Sequence, residues 1–323
     1  MNAPRTRVQR RPVHGVLLLD KPLGLSSNQA LQKAKWLLRA EKAGHTGTLD
    51  PLASGVLPLC FGAATKFSQL HLEADKIYEA TARLGIKTST GDAEGDVIAE
   101  RAVRFAPDDL ARVEARFTGP LRQVPPMHSA LKKDGKALYE YARDGIEVER
   151  APRDVVIRAL SLATTEEPDL IRIVATVSKG TYIRTLGEDI GEALGCGAHL
   201  RSLRRLATGD FGVARCVTLE ALEAMGEDER RAQLLPVESL VAGHGRVTLD
   251  AEDAARFLSG LRRRGEWADA EALAVFGSEP AAFLGTAHAR ARELIPGRLL
   301  NPIEIQQILL NAPVNATLCE TTP

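Results

Sequence analysis

The protein has 323 residues, 44% hydrophobic and 26% charged, and a formal net charge of zero, which is ordinary for a soluble globular chain of about two domains. No apolar run approaches the ~18 residues that cross a bilayer, and the N-terminus lacks the apolar core of a secretory signal. Since its four cysteines show neither zinc spacing nor the density of a disulfide scaffold, we expect a cytoplasmic protein with reduced thiols and no membrane partner.

The apolar pattern of the first 200 residues predicts strands and helices separated by loops. Ser26 or Ser27 can cap a helix that runs to about Arg39. Around it we predict strands at 13–19, 56–61, 76–84, 155–162 and 170–178, helices at 62–72, 107–117 and 136–144, and a loop at 85–96. A further helix opens at Thr181. This mixture indicates an α+β fold in which strands dominate.

The sequence changes character near Pro236. Beyond it we predict a helix at 251–258, strands at 273–276, 283–286 and 294–299, and a helix at 303–310. We therefore expect four segments: a disordered basic arm (1–12), a large domain (13–235), a small β-rich module (236–303) and a tail without an assigned role (304–323).

Charge is unevenly distributed along the chain. Residues 1–50 hold nine Lys or Arg against three acids (9 − 3 = +6), whereas residues 220–282 hold seven arginines against thirteen acids (7 − 13 = −6). The basic front half could attract a polyanion, or its lysines could simply form a solvated face.

The most informative local sequence is the glycine-punctuated stretch 44–55. It contains a single acid, Asp50, which Pro51 biases away from helical geometry, and its glycines permit backbone angles that other residues disfavour. An Asp-Pro pair can also just initiate a turn. Asp50 is therefore either a turn residue or a catalyst.

Common motifs for nucleotide binding, nucleophilic catalysis and metal binding are absent from the sequence. It has no Walker loop, no strand-linked Gly-x-Gly-x-x-Gly, no Gly-x-Ser-x-Gly elbow and no His-Glu-x-x-His, and its seven histidines form no local metal cluster. We expect chemistry that needs neither metal nor other cofactor, which fits a single-carboxylate isomerase, lyase or hydrolase.

Seven motifs in order resemble those of the bacterial TruB-type tRNA pseudouridine synthases. They read Leu-Asp-Lys-Pro-Leu-Gly-Leu-Ser-Ser at 19–27, Gly-His-Thr-Gly-Thr-Leu-Asp-Pro-Leu-Ala-Ser-Gly-Val-Leu-Pro at 44–58, Ala-Thr-Lys-Phe at 64–67, Asp-Lys-Ile-Tyr at 75–78, Gln-Val-Pro-Pro-Met-His-Ser-Ala-Leu-Lys at 123–132, Ser-Lys-Gly-Thr-Tyr-Ile-Arg-Thr-Leu at 178–186 and Gly-Ala-His-Leu-Arg-Ser-Leu-Arg-Arg at 197–205. One such match could be chance, but seven in order could not.

The resemblance implies an isomerase that converts uridine 55 in the T loop of tRNA to pseudouridine. It implies the pseudouridine-synthase fold, a mixed and mainly antiparallel sheet flanked by helices, as the catalytic domain over 13–235, and a PUA-like RNA-binding domain over 236–303. It further implies a monomer with the tRNA T arm as its partner and no obligatory protein partner. Since the reaction rearranges the same atoms, no cofactor is required.

The resemblance also assigns roles to five residues. Asp50 would be the catalytic aspartate, which either adds to the uracil ring or assists its departure from the ribose. Tyr78 would be a platform for the flipped base and a participant in late proton removal, and His45 would fill the space that the base vacates. Arg184 would pair with Asp50 and orient it, and Leu203 would line the uracil pocket. By pattern alone, Tyr78 would be a core tyrosine and His45 a loop histidine. Arg184 would likewise be an exposed arginine and Leu203 a core leucine.

Four basic residues have open roles. Lys21 is either structural or a substrate-facing residue that contacts phosphate. Arg201, Arg204 and Arg205 are candidate RNA contacts, which would bind phosphate or order the site, unless they only form a solvated basic face.

Two other functions are compatible with the motifs. A non-catalytic tRNA-folding chaperone would bind tRNA without modifying uridine. A guide-RNA-dependent pseudouridine synthase would need partner proteins, although the segment 117–150 resembles the bacterial stand-alone form.

Overall fold

The computed structural model describes residues 9–311, which form one ten-stranded sheet, one five-stranded sheet and two short hairpins. The strands, in chain order, are β1 (Gly15–Lys21), β2 (Ala43–His45), β3 (Ala53–Phe61), β4 (Lys76–Leu84), β5 (Ile86–Thr88), β6 (Val97–Glu100), β7 (Gly119–Gln123), β8 (Lys132–Lys133), β9 (Lys136–Ala137), β10 (Arg153–Thr164), β11 (Leu170–Val177), β12 (Ala198–Thr208), β13 (Phe211–Gly212), β14 (Val217–Thr218), β15 (Gly245–Leu249), β16 (Arg263–Arg264), β17 (Ala270–Ser278), β18 (Ala281–Arg290) and β19 (Glu293–Leu299).

The helices surround these sheets. They are α1 (Ser27–Leu37), α2 (Ser68–Leu72), α3 (Pro107–Phe117), α4 (Leu138–Arg143), α5 (Ile183–Ala193), α6 (Leu219–Ala224), α7 (Glu227–Ala232), α8 (Ala251–Leu258) and α9 (Pro302–Asn311), with 3-10 turns at Gly62–Lys66, Val213–Arg215 and Val237–Val241. Among the helices of residues 9–311, none combines the length and the hydropathy that a bilayer crossing requires.

The large sheet has the order β14-β1-β3-β12-β4-β11-β10-β7, with β2 paired to β3 and β13 paired to β12. Its neighbours are antiparallel except for β1 with β14 and β3 with β12. The smaller sheet has the order β15-β17-β18-β19-β16. The predicted α+β architecture, with a mixed and mainly antiparallel sheet and a β-rich C-terminal domain, is confirmed.

The two faces of the large sheet are covered differently. Leu17 and Leu57 point toward a core that includes buried residues of α1, α3, α5 and α6. Val16 and Val56, one position earlier on the same strands, join a second core built largely from the C-terminal sheet. Because successive side chains of a strand alternate between faces, both strands are buried on each side and read as continuous apolar runs.

Most predicted elements lie where the sequence indicated. Ser26 caps α1 by accepting from the Gln29 amide, and the bounds of β4, α3 and α8 agree with the prediction. Two predictions were too simple. The loop at 85–96 includes β5, which pairs with β6, and the helix predicted from 136 begins at Leu138 because Lys136–Ala137 pairs with Lys132–Lys133.

The described residues nearest the two chain ends, 9–12 and 302–311, make contacts with the rest of the fold. The predicted disordered arm is wrong at its end, because Arg11 makes backbone hydrogen bonds to Arg39 and Glu41; residues 1–8 lie outside the described residues. In the predicted tail, α9 is anchored by an ion pair between Lys66 Nζ and Glu304 Oε2 at 2.6 Å. Residues 312–323 also lie outside the described part. The domain boundary near 235 stays a prediction. At that position, Leu235 forms an isolated antiparallel bridge with Val16 of β1.

Candidate active site

A cavity of about 580 Å³ opens beside β4 and β12, where the loop 46–52 meets the start of α5. Five of the residues singled out in the sequence line it: Asp50, Tyr78, Arg184, Leu203 and Arg205. The other four lie outside its lining: Lys21, His45, Arg201 and Arg204. Segments far apart in the chain thus converge on one concave site.

Asp50 and Arg184 form the predicted ion pair. Arg184 Nη2 lies 2.8 Å from Asp50 Oδ2, and the arginine side chain is 6% exposed, whereas that of Asp50 is 41% exposed. Arg184 Nη2 also donates to the His128 carbonyl at 2.5 Å. The guanidinium therefore holds the carboxylate from behind and leaves it open to the cavity.

Sequence reasoning missed a second carboxylate on Arg184. Asp92 Oδ2 lies 3.3 Å from Arg184 Nη1, which also donates to the Thr90 carbonyl at 3.1 Å. The buried Asp92 is fixed in turn by the Thr90 hydroxyl at 2.5 Å and the Glu94 amide at 3.1 Å. Asp92 and Arg184 are 92 positions apart, and no local motif signals this contact.

Residues of the first motif, 19–27, hold the loop that carries Asp50 through hydrogen bonds. The Ser27 hydroxyl accepts from the Leu49 amide at 2.7 Å and donates to the Leu49 carbonyl at 3.0 Å. The Gly24 amide donates to the Pro51 carbonyl at 2.9 Å. The residues on both sides of Asp50 are therefore held by backbone-directed hydrogen bonds.

Lys21 belongs to this framework and does not face substrate. It is fully buried, and its Nζ donates to the carbonyls of Pro22 at 2.8 Å and Leu25 at 2.6 Å. Burial lowers the pKa of Lys21 to about 8, an effect that Asp50 opposes and Arg205 reinforces. This burial contradicts a substrate-facing role and supports the structural alternative.

The opposite wall of the cavity is built by β4 and β12. Tyr78 is half-buried and faces Arg205 in the register of the two strands, and Leu203 lies opposite Ala80. Arg205 Nη1 donates to the Tyr78 hydroxyl at 3.5 Å. A tyrosine ring and a leucine thus flank a space into which Asp50 opens, an arrangement that can hold a flat, partly apolar ring.

His45 lies at the end of β2, five residues before Asp50. It is half-buried, and its Nδ1 has no hydrogen-bond partner within residues 9–311. Burial, and then the Arg205 cation, lower the pKa of His45. A neutral imidazole beside the cavity can enter a base stack without bringing a charge.

The three arginines of the last motif have three different environments. Arg201 is exposed and pairs with Glu167 at 3.2 Å, and Arg204 pairs with Asp20 at 2.7 Å. Arg205 is 1% exposed and faces inward. This burial favours the alternative that Arg205 orders the site over a phosphate contact, and the role of Arg205 stays a prediction.

The site brings together the Asp50 carboxylate, a buried cation behind it and an open space in front of it. Within the described residues, no group of three or more His, Cys, Asp or Glu side chains is arranged to hold a metal ion. A single carboxylate can act as a nucleophile or as an acid–base group.

Comparisons with known proteins point the same way. A family model for TruB family pseudouridylate synthase (N-terminal domain) matches residues 35–183, and one for the tRNA pseudouridylate synthase B C-terminal domain matches residues 184–242. The tRNA pseudouridine synthase B of Verminephrobacter eiseniae is 65% identical over 317 residues, which cover 96% of each chain. That of Ralstonia nicotianae is 57% identical over 300 residues, 90% of this chain and 96% of its own.

Solved structures share the fold. A chain in the crystal structure of a Cbf5–Nop10–Gar1 complex has 26% identity and a TM-score of 0.69, over 92% of this chain and 87% of that one. A chain of an H/ACA RNP bound to a substrate RNA containing 2′-deoxyuridine has 24% identity and a TM-score of 0.66, over 90% and 86%. With relatives this similar along nearly the whole sequence, the chain belongs to the TruB family of pseudouridylate synthases.

Proposed function

We propose that the protein converts uridine 55 in the T loop of tRNA to pseudouridine. The observation that carries the proposal is the Asp50–Arg184 ion pair at the cavity, in a chain 65% identical to a tRNA pseudouridine synthase B. The reaction exchanges the N1–C1′ glycosidic bond for a C5–C1′ bond. It therefore needs a held base and one acid–base or nucleophilic group.

The residues of the cavity divide the task. The target base leaves its stack at a cost of a few kcal/mol and enters the space between Tyr78 and Leu203. Asp50 then acts on the ring or on the ribose, held in place by Arg184. Both routes use the Asp50 carboxylate. The position of this carboxylate relative to the bound base decides which bond it can reach. His45, beside the cavity, fills the stack that the base has left.

Late in the reaction, the C5 proton must leave. Once C5 is bonded to C1′, it carries both the ribose and a hydrogen, and C6 is double-bonded to N1. Removal of the proton places the C5–H electron pair in a new C5=C6 bond, the π pair of the C6=N1 bond moves to N1, and N1 takes up a proton from water. We assign the removal to the oxygen of Tyr78, a residue of the cavity wall, after its own proton has passed to solvent.

Positive side chains around the cavity suit an RNA substrate. Lys76, Arg153 and Lys179 line it together with Arg184 and Arg205. Burial, and then Arg205, lower the pKa of Lys76 to about 8, so its charge titrates just above neutral pH. Of these cations, Arg153 and Lys179 are exposed and can attract the phosphates that flank the target nucleotide.

The direct test is the purified chain alone on an unmodified T-arm hairpin, with release of the C5 hydrogen as the measurement. We expect complete conversion at the position of uridine 55 and none in a hairpin that carries cytidine there. Conversion only after partner proteins and a guide RNA are added would identify the guide-dependent alternative. Binding of the hairpin without any conversion would identify the chaperone alternative and contradict the proposal.

A further inference from the structure

Arg205 contacts three parts of the site at once. Its Nε donates to the Val56 carbonyl at 2.7 Å, its Nη2 to the Gly47 carbonyl at 3.3 Å and its Nη1 to the Tyr78 hydroxyl at 3.5 Å. Gly47 belongs to the Asp50 loop, and Tyr78 is on the opposite wall. One side chain thus connects the loop that carries the carboxylate with the tyrosine across the cavity.

The backbone is shaped to admit this contact. Gly55 has a φ of +101°, and a Cβ there would lie 2.2 Å from the Arg205 carbonyl oxygen. Only glycine lets β3 approach β12 this closely, so the parallel pair brings Arg205 beside the Asp50 loop. Gly55 is therefore required at this position, because any side chain there would collide with the backbone of Arg205.

The guanidinium is buried without a compensating charge. Arg205 is 1% exposed, and no carboxylate lies within 4.0 Å of it in the part of the chain that the structure describes. A buried cation held by neutral oxygens alone is costly relative to a paired one. Its field also reaches its neighbours, because it contributes to the lowered pKa of His45 and of Lys76. A cation placed in this way, 3.5 Å from the Tyr78 hydroxyl, can stabilise negative charge on that oxygen.

We propose that Arg205 is a positioning residue that fixes the Tyr78 hydroxyl relative to Asp50 and stabilises the negative charge that the Tyr78 oxygen bears after its own proton has passed to solvent and before it takes the C5 proton. This inference rests on the proposed function. In the step, the C5–H bond breaks and the C5 proton bonds to the deprotonated Tyr78 oxygen. The C5–H electron pair forms the C5=C6 bond, the π pair of the C6=N1 bond moves to N1, and N1 gains a proton from water. A donor aimed in advance at the Tyr78 oxygen favours the deprotonated form, which is the form that can accept the C5 proton.

The test compares single-turnover rates on T-arm hairpins whose target uridine carries hydrogen or deuterium at C5. Wild type, Arg205→Gln, Arg205→Lys and the control Arg172→Gln are measured. Arg172 is an exposed arginine that donates to Glu79, the residue after Tyr78, at 2.7 Å. Removal of one preorganised donor typically costs about 100-fold in rate. We expect a loss of this size in Arg205→Gln, with a hydrogen-to-deuterium rate ratio above that of wild type.

The conservative variant should restore part of the rate. Arg205→Lys keeps the charge but loses the three-way contact, so we expect a smaller loss with a rate ratio that is still raised. Arg172→Gln should have the rate and the ratio of wild type. Hairpin affinity should be equal in all four proteins, because Arg205 is buried away from phosphate.

Other outcomes overturn the inference. If both Arg205 variants slow the reaction without a change in the rate ratio, or neither folds by circular dichroism, Arg205 is a structural residue. A wild-type rate in Arg205→Gln has the same consequence. If wild type itself does not convert the hairpin, the proposed function fails, and the role of Arg205 fails with it.

Discussion

The two buried arginines of the cavity lie in opposite electrostatic environments. Arg184 has a carboxylate near each terminal nitrogen, Asp50 at 2.8 Å and Asp92 at 3.3 Å. Arg205 is held by two backbone carbonyls and a tyrosine hydroxyl. The first group has a formal charge of −1 (+1 − 2), whereas the second is +1.

This difference separates two tasks that the proposed isomerisation requires. The Arg184 side fixes the Asp50 carboxylate and offsets one of the two negative charges there, so that Asp50 is oriented toward the cavity. The Arg205 side leaves a cation unbalanced beside Tyr78, where negative charge can be accommodated. The same residue type therefore orients a charged group on one wall and stabilises a developing charge on the other.

The largest expected effect is the loss of the Asp50 carboxylate. Asp50→Asn keeps the shape of the side chain but removes its nucleophilic and basic oxygen, so single-turnover conversion should fall by at least about 10⁴-fold. Hairpin affinity, measured by filter binding, should remain near that of wild type. Asp210→Asn, in the exposed turn between β12 and β13, is the control and should convert normally. Substantial turnover in Asp50→Asn would remove Asp50 from the mechanism.

Much of the Asp50 side could be predicted from sequence. The alternation along 76–84 fixed both ends of β4, and motifs placed Asp50, Tyr78 and Arg184. Asp92 could not be found this way. It lies in a Gly-Asp turn, Gly91-Asp92, that resembles any loop, and only the fold brings it to Arg184. Contacts between distant loops depend on strand order and register, which local patterns do not encode.

The second expected effect concerns the charge balance at Arg184. Arg184→Lys replaces a planar fork by a point charge that cannot serve Asp50 and Asp92 together, so the rate should fall about 100-fold. Asp92→Asn leaves the Asp50 contact in place, and a smaller loss, about 10-fold, is expected. Both are measured by single-turnover assay, with urea unfolding to check the fold. A larger loss of rate in Asp92→Asn than in Arg184→Lys would mean that Asp92 matters more for conversion than the contact between Arg184 and Asp50.

The Arg205 side was harder to predict, for a physical reason. The register of β12 against β4 shifts between Leu200 and Ser202, and again between Arg205 and Ala207. Each shift breaks the alternation that would tell which side chains point inward. Arg201 and Ser202 are both exposed, whereas Arg205 is buried. Three nearby arginines therefore looked equivalent in sequence although one belongs to the site.

A third effect tests how the Asp50 loop is held. Ser27→Ala removes both hydrogen bonds to Leu49 and leaves a buried amide unsatisfied, which should lower the free energy of unfolding by about 1–3 kcal/mol. Because the loop would loosen, the conversion rate should fall about 10-fold; a misplaced group can cost up to 10²-fold. Ser26→Ala is the matched control, since it removes the helix cap, worth about 1 kcal/mol, but no loop contact. Equal rates in the two variants would show that Ser27 serves only stability.

The smallest expected effect separates exposed arginines from the buried one. Hairpin affinity should fall as salt rises, because phosphate contacts release counterions. Arg201 is exposed and pairs only with the exposed Glu167 within the described residues, so it is free to exchange that partner for a phosphate. Arg201→Gln should therefore reduce the slope of log K against log salt by about 1. Arg205→Gln should leave this slope unchanged, because a guanidinium that is 1% exposed releases no counterions from RNA. A reduced slope in Arg205→Gln would mean that Arg205 turns outward when RNA binds, and the contrast between the two walls of the cavity would then hold only for the free protein.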